Sequence, residues 1–386
     1  MSGKIKVVHI ITLLEWGGAQ QTVLTLVGHL NRDLFAPVLY CGRGGILDGD
    51  AKHIGIPVRF VPGLRRPIRP WWDFLVLINL YRFLRSERPH LVHTHSSKAG
   101  VLGRLAAWLA GVPIVVHTVH GFGFTPVQKK WVRGLFVRVE RWLARITSAL
   151  VFVSKSNREE ALLRGIGSSD RHHLIRAAVH LDEYQGMSRD PKVLLNSKDR
   201  LVTTIGPFKP QKNLLDFIRA AAIVAVLHPD VKFLVIGDGQ GREMLEKEIQ
   251  SRNLTHRVLL AGWRPDIPAL LGRSDIFCMT SLWEGLPMSL VEAMAVGLPC
   301  VVNAVDGCRD VIVHGVNGFL TPPGDPSATA ERLDQLLKNP VLAKEIGQRA
   351  KASIGREFDK TQMVLEHEKL YTTLFTMGGE KRFSSK

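Results

Sequence analysis

Two doubly wound α/β domains facing across a cleft are the fold this sequence predicts, and three observations predict it. Short β-rich runs alternate with helical stretches from one end to the other, the pattern of parallel sheets with crossover helices. The alternation loosens once, across residues 182–200, a polar segment without periodicity, and then restarts. A chain of 386 residues has room for two ordinary domains, each with ample core.

The first strand is expected at 6–12. There Val7-Val8-His9-Ile10-Ile11 is too short, and too soon followed by Glu15, for a signal peptide. Strands at 37–41, 58–61, 91–94, 114–118 and 149–153 follow, with helices at 19–30, 72–86, 98–110 and 128–146 among them. After the linker the expected strands are 201–205, 232–236, 258–260, 276–279, 300–302 and 318–321. Helices are expected at 213–227, 242–252, 267–271, 290–296 and 328–338. This places the first domain at 1–182, the second at 183–360, and a frayed tail at 378–386.

Composition is that of a soluble globular protein. No apolar run approaches the ~18 residues of a membrane span, so cytoplasmic residence is the expectation. Cys41, Cys278, Cys300 and Cys308 form no C-x-x-C pair and read as buried free thiols. Net charge is +16, unevenly spread: residues 1–190 hold 26 Lys and Arg against 13 Asp and Glu, the remainder 25 against 22. Nucleic acid, an anionic membrane or an acidic lipid-linked substrate would each suit the basic half. For nucleic acid there is neither a recognition motif nor a basic-aromatic array.

The most informative segment is Glu284-Gly285-Leu286-Pro287-Met288-Ser289-Leu290-Val291-Glu292, between an apolar strand and a helix. A helix N-terminus offers unpaired N–H groups and a positive dipole end, a natural seat for phosphate. Carboxylates on either side accept hydrogen bonds from hydroxyls. The combination suits a diphosphate with hydroxyl-rich sugars at both ends, the shape of a nucleotide sugar. The bland alternative is a capping box, Ser289-x-x-Glu292, closed by Glu292.

Other motifs sit at predicted strand ends. Gly17-Gly18 opens a helix after the first strand, where backbone can approach a phosphate or simply turn. Gly206-Pro207-Phe208-Lys209-Pro210-Gln211-Lys212-Asn213 repeats that context in the second domain, with Lys212 able to reach a phosphate. Gly262-Trp263-Arg264-Pro265-Asp266 follows another strand. His93, His95, His117 and His120 end two consecutive strands. A metal reading of them is disfavoured: His93 and His95 share a face, His117 and His120 do not, and no carboxylate accompanies them. Asp48-Gly49-Asp50 matches a D-x-D triplet but stands in a loop before a helix and is discounted.

Taken together these segments resemble the retaining glycosyltransferases of the GT-B fold with an E-x7-E motif, the family 4 type. The subgroup resembled is the one that builds bacterial surface polysaccharides. The resemblance implies Rossmann-like domains and a last helix, about 361–377, crossing back to the first. It implies that Glu284 contacts the donor sugar, Glu292 the ribose, and the Gly285 and Leu286 N–H groups the diphosphate. Gly17, Gly18, Gly206, Lys209 and Lys212 would complete the phosphate contacts, with Pro207 standing where the family has Arg. Arg264 would border the base, His120 would stand beside the reacting sugar, and His95 and Lys98 would lie on the acceptor side.

The implied reaction moves a hexose or N-acetylhexosamine from a nucleotide sugar, expected to be UDP-linked, to a glycan or lipid-linked acceptor. No metal and no cofactor are expected. With no covalent nucleophile evident, same-face attack by the acceptor hydroxyl is the expected route to retention. The rivals are a nucleotide-sugar epimerase of the same fold, a glycoside hydrolase, and a non-catalytic basic membrane-binding protein. In a hydrolase the Gly-rich loops and Lys212 would have no role.

A peripheral position at the inner face of the plasma membrane is expected as well. The helix at 128–146 carries Trp131, Leu135, Val139, Trp142 and Ile146 on one side and Lys129, Lys130, Arg133, Arg138, Arg141 and Arg145 over much of the rest. Arg65-Arg66-Pro67-Ile68-Arg69-Pro70-Trp71-Trp72 is a second basic and aromatic patch. The alternative is that the apolar stripe packs on the sheet and the charges are a solvated face.

Overall fold

A computed structural model describes residues 3–125, 127–184 and 199–383. Most of the segment expected as a linker, 185–198, lies outside the described residues. The chain divides into two compact units, residues 1–178 with 360–386, and residues 179–359.

The first unit is built on strands β1 (Ile5–Leu13), β2 (Phe35–Gly42), β3 (Val58–Phe60), β4 (Leu91–His95), β5 (Ile114–Val119), β6 (Ala149–Phe152) and β7 (His172–Leu174). Its helices are α1 (Gly18–His29), α2 (Asp48–His53), α3 (Pro70–Glu87), α4 (Ser97–Leu109), α5 (Lys130–Arg145) and α6 (Lys155–Leu163). The sheet order is β3-β2-β1-β4-β5-β6-β7, all parallel. Strands buried on both faces need apolar side chains in both directions, hence near-continuous runs such as Val7 to Ile11.

The second unit holds α7 (Leu181–Tyr184), β8 (Arg200–Ile205), α8 (Leu214–Leu227), β9 (Val231–Ile236), α9 (Arg242–Ser251), β10 (Val258–Gly262) and α10 (Ile267–Arg273). It continues with β11 (Ile276–Met279), α11 (Met288–Val296), β12 (Cys300–Asn303), α12 (Asp306–Val311), β13 (Phe319–Thr321), α13 (Pro326–Lys338) and α14 (Pro340–Ala352). Its parallel sheet runs β10-β9-β8-β11-β12-β13. The last helix, α15 (Lys360–Phe383), belongs to the first unit. Its Met363, Val364, Leu370 and Tyr371 join Leu26 of α1 and Leu30, just past its end, over Val7, Leu91 and Val116. Helical backbone to Phe383 replaces the frayed end expected from Gly378; the final three residues lie outside the described ones.

Both sheets reverse strand order once, between β1 and β4 and between β8 and β11. In open α/β sheets the carboxyl edge at such a switch point is where ligands bind. The four cysteines are buried free thiols, as expected. Asp48 accepts a hydrogen bond from the Gly44 N–H at 2.8 Å and opens α2, a local role for the D-x-D triplet.

Candidate active site

At the second unit's switch point, β8 gives way to Gly206 and a short 3-10 turn, Pro210–Lys212. Lys212 Nζ donates to Glu284 Oε1 at 2.6 Å. Gln211 Nε2 donates to Glu284 Oε2 at 3.3 Å and to the Trp283 carbonyl at 2.9 Å. With the lysine 12% and the glutamate 7% exposed, this is a largely desolvated ion pair, in which charge-assisted bonds fix geometry. Two glycines make the approach possible. A Cβ on Gly206 would stand 2.8 Å from Lys212 Cε, and one on Gly307 would stand 1.8 Å from the Gly285 carbonyl. The Gly285–Leu286 bend therefore rests on Gly307 backbone, with the Leu286 side chain buried.

Helix α11 begins at Met288, with Pro287 as its N-cap. Ser289 lies inside the helix and its hydroxyl donates to the Ile205 carbonyl at 3.4 Å, so the capping box does not form. Glu292 instead takes a hydrogen bond from the Tyr184 hydroxyl. Burial pushes the Glu292 carboxyl up to about 7; the Tyr184 bond opposes that rise and Glu183 adds to it. Arg264, past the end of β10, grips Asp266 through both carboxylate oxygens, at 2.8 and 2.7 Å. Lys209 precedes the 3-10 turn, its N–H bonded to the Pro207 carbonyl at 2.7 Å.

In the first unit Gly17 is the N-cap of α1 and Gly18 its first residue, a short turn after β1 ends at Leu13. The turn from β4 into α4 places Ser96 at φ 62, a left-handed conformation that costs a non-glycine residue about 1–3 kcal/mol and gathers at functional sites. His95 ends β4 and His120 follows β5, and the two are joined, His95 Nδ1 to His120 Nε2 at 3.2 Å. On its other side His95 Nε2 meets His9 Nδ1 at 3.2 Å. His93 is held by the Tyr371 hydroxyl at 2.5 Å and Thr118 Oγ1 at 2.7 Å. His117 points to the opposite face, bonded to Thr94 Oγ1 at 2.9 Å. Burial lowers all four sequence-predicted histidines, His120 to about 3, so they are neutral at physiological pH.

His9, His93 and His95 offer ring nitrogens within 4.8 Å of one another; hydrogen bonds engage both nitrogens of His93 and of His95 and Nδ1 of His9, while His9 Nε2 has none among the described residues. Lys98, expected on the acceptor side, pairs with Asp73 and donates to the Pro67 carbonyl at 2.6 Å. It thereby ties the Trp71–Trp72 segment to α4. Sequence reasoning missed His9, Tyr184 and Tyr371. The visible signal for His9 was a titratable side chain in the middle of an apolar strand.

The amino-terminal part, residues 17–178, matches the glycosyl transferase 4-like domain, and residues 188–353 match glycosyl transferases group 1. The chain is 35% identical to the UDP-Gal:alpha-D-GlcNAc-diphosphoundecaprenol alpha-1,3-galactosyltransferase of Escherichia coli, over 88% of this chain and 89% of that one. It is 22% identical to the capsular polysaccharide biosynthesis glycosyltransferase CapM of Staphylococcus aureus, over 84% and 87% of the two chains. Anabaena HepE, solved in complex with UDP and glucose, shares the fold, with a TM-score of 0.83, 22% identity, and 96% and 100% coverage. The chain belongs to the GT4-like glycosyltransferases of the GT-B fold. It is a nucleotide-sugar-dependent enzyme, related to the transferases of bacterial surface-polysaccharide synthesis.

Proposed function

We propose that the enzyme moves a hexose or N-acetylhexosamine, with retention, from a UDP-sugar to a polyprenyl-diphosphate-linked acceptor at an anionic membrane surface, without a metal. The observation that carries the donor half is the Lys212–Glu284 pair. A diphosphate arriving at α11 would draw Lys212 toward its own charge and leave Glu284, still held by Gln211, to accept the sugar hydroxyls. Glu292 would exchange the Tyr184 hydroxyl for those of the ribose. The Gly285 and Leu286 N–H groups would bind phosphate oxygens, and Gly17 and Gly18 would add backbone contacts from the first unit. Arg264 would border the base.

In the step itself the bond from anomeric carbon to phosphate oxygen breaks. The acceptor oxygen bonds that carbon on the same face, and its proton passes to the departing phosphate. The enzyme's part is to orient and to stabilise charge, with His120 beside the sugar. The lipid-linked acceptor is the one named for the Escherichia coli relative.

The membrane half rests on the direction in which the first unit's tryptophans point. Trp131, Leu135 and Trp142 of α5 face solvent (71, 54 and 45% exposed), while Val137, Leu143 and Ala144 pack inward. Three of the stripe's five residues are thus outward, while Val139 and Ile146 are half-buried. Trp108 of α4 meets Trp142 edge to face at 6.4 Å, and Trp71 at the start of α3 is 82% exposed. Lys129, Lys130, Arg138 and Arg145 are exposed on or beside α5, and Arg65, Arg66 and Arg69 precede α3. Cations beside interfacial aromatics complement an anionic lipid surface, each worth about 1 kcal/mol there. No helix among the described residues is long and apolar enough to cross a membrane, so attachment would be peripheral.

Liposome flotation tests this half. Binding should need anionic lipid, weaken as salt rises, and fall in Lys129→Ser/Lys130→Ser/Arg133→Ser and in Trp131→Ser/Trp142→Ser. Absence of flotation at low salt would refute the membrane reading and leave the transferase intact.

A further inference from the structure

Three imidazoles form a hydrogen-bonded string from the half-buried His120 into the core of the first unit. His120 Nε2 meets His95 Nδ1 at 3.2 Å, and His95 Nε2 meets His9 Nδ1 at 3.2 Å. The rings of His9 and His95 lie 5.5 Å apart and nearly parallel, at 12°. Strand pairing creates the string. His9 of β1 stands in register with His93 of β4, and His95, two residues on, shares that face. The far end is buried, and His9 Nε2 meets no hydrogen-bond partner among the described residues.

A neutral imidazole has one N–H and one lone pair, so only two arrangements satisfy both N···N contacts. If the protons point inward, His120 donates to His95 and His95 to His9, and the His9 Nε2–H is left buried with nothing to receive it. If they point outward, His9 donates to His95 and His95 to His120, leaving only an unmet lone pair at His9. A stranded buried N–H is the rarer and costlier of the two. The outward string fixes the last ring: His120 Nε2 must accept, and its proton must sit on Nδ1.

We propose that His9 and His95 are positioning residues that lock His120 in the Nδ1–H form, so that it meets the sugar as a neutral hydrogen-bond donor and not as a base. This rests on the reading that His120 stands beside the reacting sugar. The surroundings agree with it. His93 lies against the string from β4, His367 and Tyr371 from α15, and His117 acts from the other face of β5. Among the described residues no carboxylate acts on the three rings, and burial together with the neighbouring imidazoles lowers each of them, His9 and His120 to about 3. A donor that cannot become a cation or a base suits a transfer in which the leaving phosphate takes the proton.

Nitrogen NMR of the full chain labelled with 15N-histidine tests this directly, His120 being assigned by its loss in His120→Gln. In the wild type, His120 should show a protonated Nδ1 and a bare Nε2 throughout about pH 5.5–8.5, with no imidazolium. In His95→Leu, and separately in His9→Leu, it should lose the fixed tautomer. In His95→Leu it should also titrate closer to the ordinary imidazole value of about 6.5. His95→Gln, whose amide can donate to His120 Nε2, should restore the Nδ1–H form and most of the kcat lost in His95→Leu. A protonated Nε2 in the wild type, an imidazolium in that range, or an unchanged His120 in both leucine variants would overturn the proposal. Wild-type turnover in His120→Gln would instead retire the reading of His120 at the sugar, whatever tautomer the spectra show.

Discussion

At the carboxyl edge of the second unit's sheet the polar groups are ions held by ions, Lys212 on Glu284 and Arg264 on Asp266. The matching edge of the first unit carries neutral imidazoles, His9, His95 and His120, held by one another. The contrast is chemical. On the proposed reading, a diphosphate would bring charge that a cation and oriented N–H groups can offset, as the second unit could with Lys212 and the start of α11. The acceptor and the reacting carbon would ask for hydrogen bonds of fixed direction without net charge, which a desolvated imidazole string could supply. Outside, the contrast runs the other way. Residues 1–190 carry 26 cationic side chains against 13 anionic, and the exposed tryptophans of α3, α4 and α5 lie among them.

The largest effect should come from dividing the ion pair. Glu284→Gln and Lys212→Ala should each lower kcat by about a hundredfold in a transfer assay, the scale for losing a preorganised electrostatic contact. They should differ in stability. Lys212→Ala strands a buried carboxylate and should cost about 1–3 kcal/mol in denaturant unfolding, whereas Glu284→Gln leaves no buried anion and should cost less. Wild-type turnover in either variant would break the assignment of charge handling to the second unit.

Next in size is Glu292→Gln, which should weaken UDP binding about tenfold by calorimetry, the scale of one hydrogen bond to a charged group. Its stability effect follows from the raised carboxyl. Folded-state Glu292 titrates near 7 against 4.5 for the free group, so between those values the folded state holds more protons than the unfolded. The wild type therefore loses stability as pH rises through that window. The glutamine variant lacks this loss, so its melting temperature relative to wild type should climb from about pH 4.5 to 7 and then level off. A difference that does not change with pH would show Glu292 to be an ordinary surface carboxylate.

The smallest effect should be Tyr184→Phe, which removes the hydroxyl bonded to Glu292 and should cost about 1 kcal/mol of stability with little change in kcat. A large loss of turnover would make Tyr184 part of the chemistry.

The strands were legible because parallel strands buried on both faces must be continuous apolar runs, as at Val7 to Ile11 or Ile276 to Met279. The exception is β7, where His172-His173-Leu174 is three residues long with two histidines and carries no such signal. Gly206 was legible because backbone approach needs it, and it lies under the Lys212 stem; Gly307, under the Gly285 carbonyl, belonged to no motif and was not found. What the sequence could not show depends on long-range register or on direction. His9 gains its role from pairing with a strand more than eighty residues away, and Tyr184 reaches Glu292 from a different element. Periodicity located the stripe on α5 but could not say that Trp131, Leu135 and Trp142 point outward, since Val137, Leu143 and Ala144 supply a second, inward face.

Whether the enzyme is a metal-independent retaining transferase is read from the purified protein with UDP-sugar, a polyprenyl-diphosphate-linked acceptor and EDTA, the product's anomeric configuration being determined by NMR. The expected result is acceptor-dependent release of UDP and a glycolipid whose new linkage keeps the donor's α configuration. Turnover of the UDP-sugar with no acceptor present, an inverted linkage, or activity restored only by added metal would contradict the account.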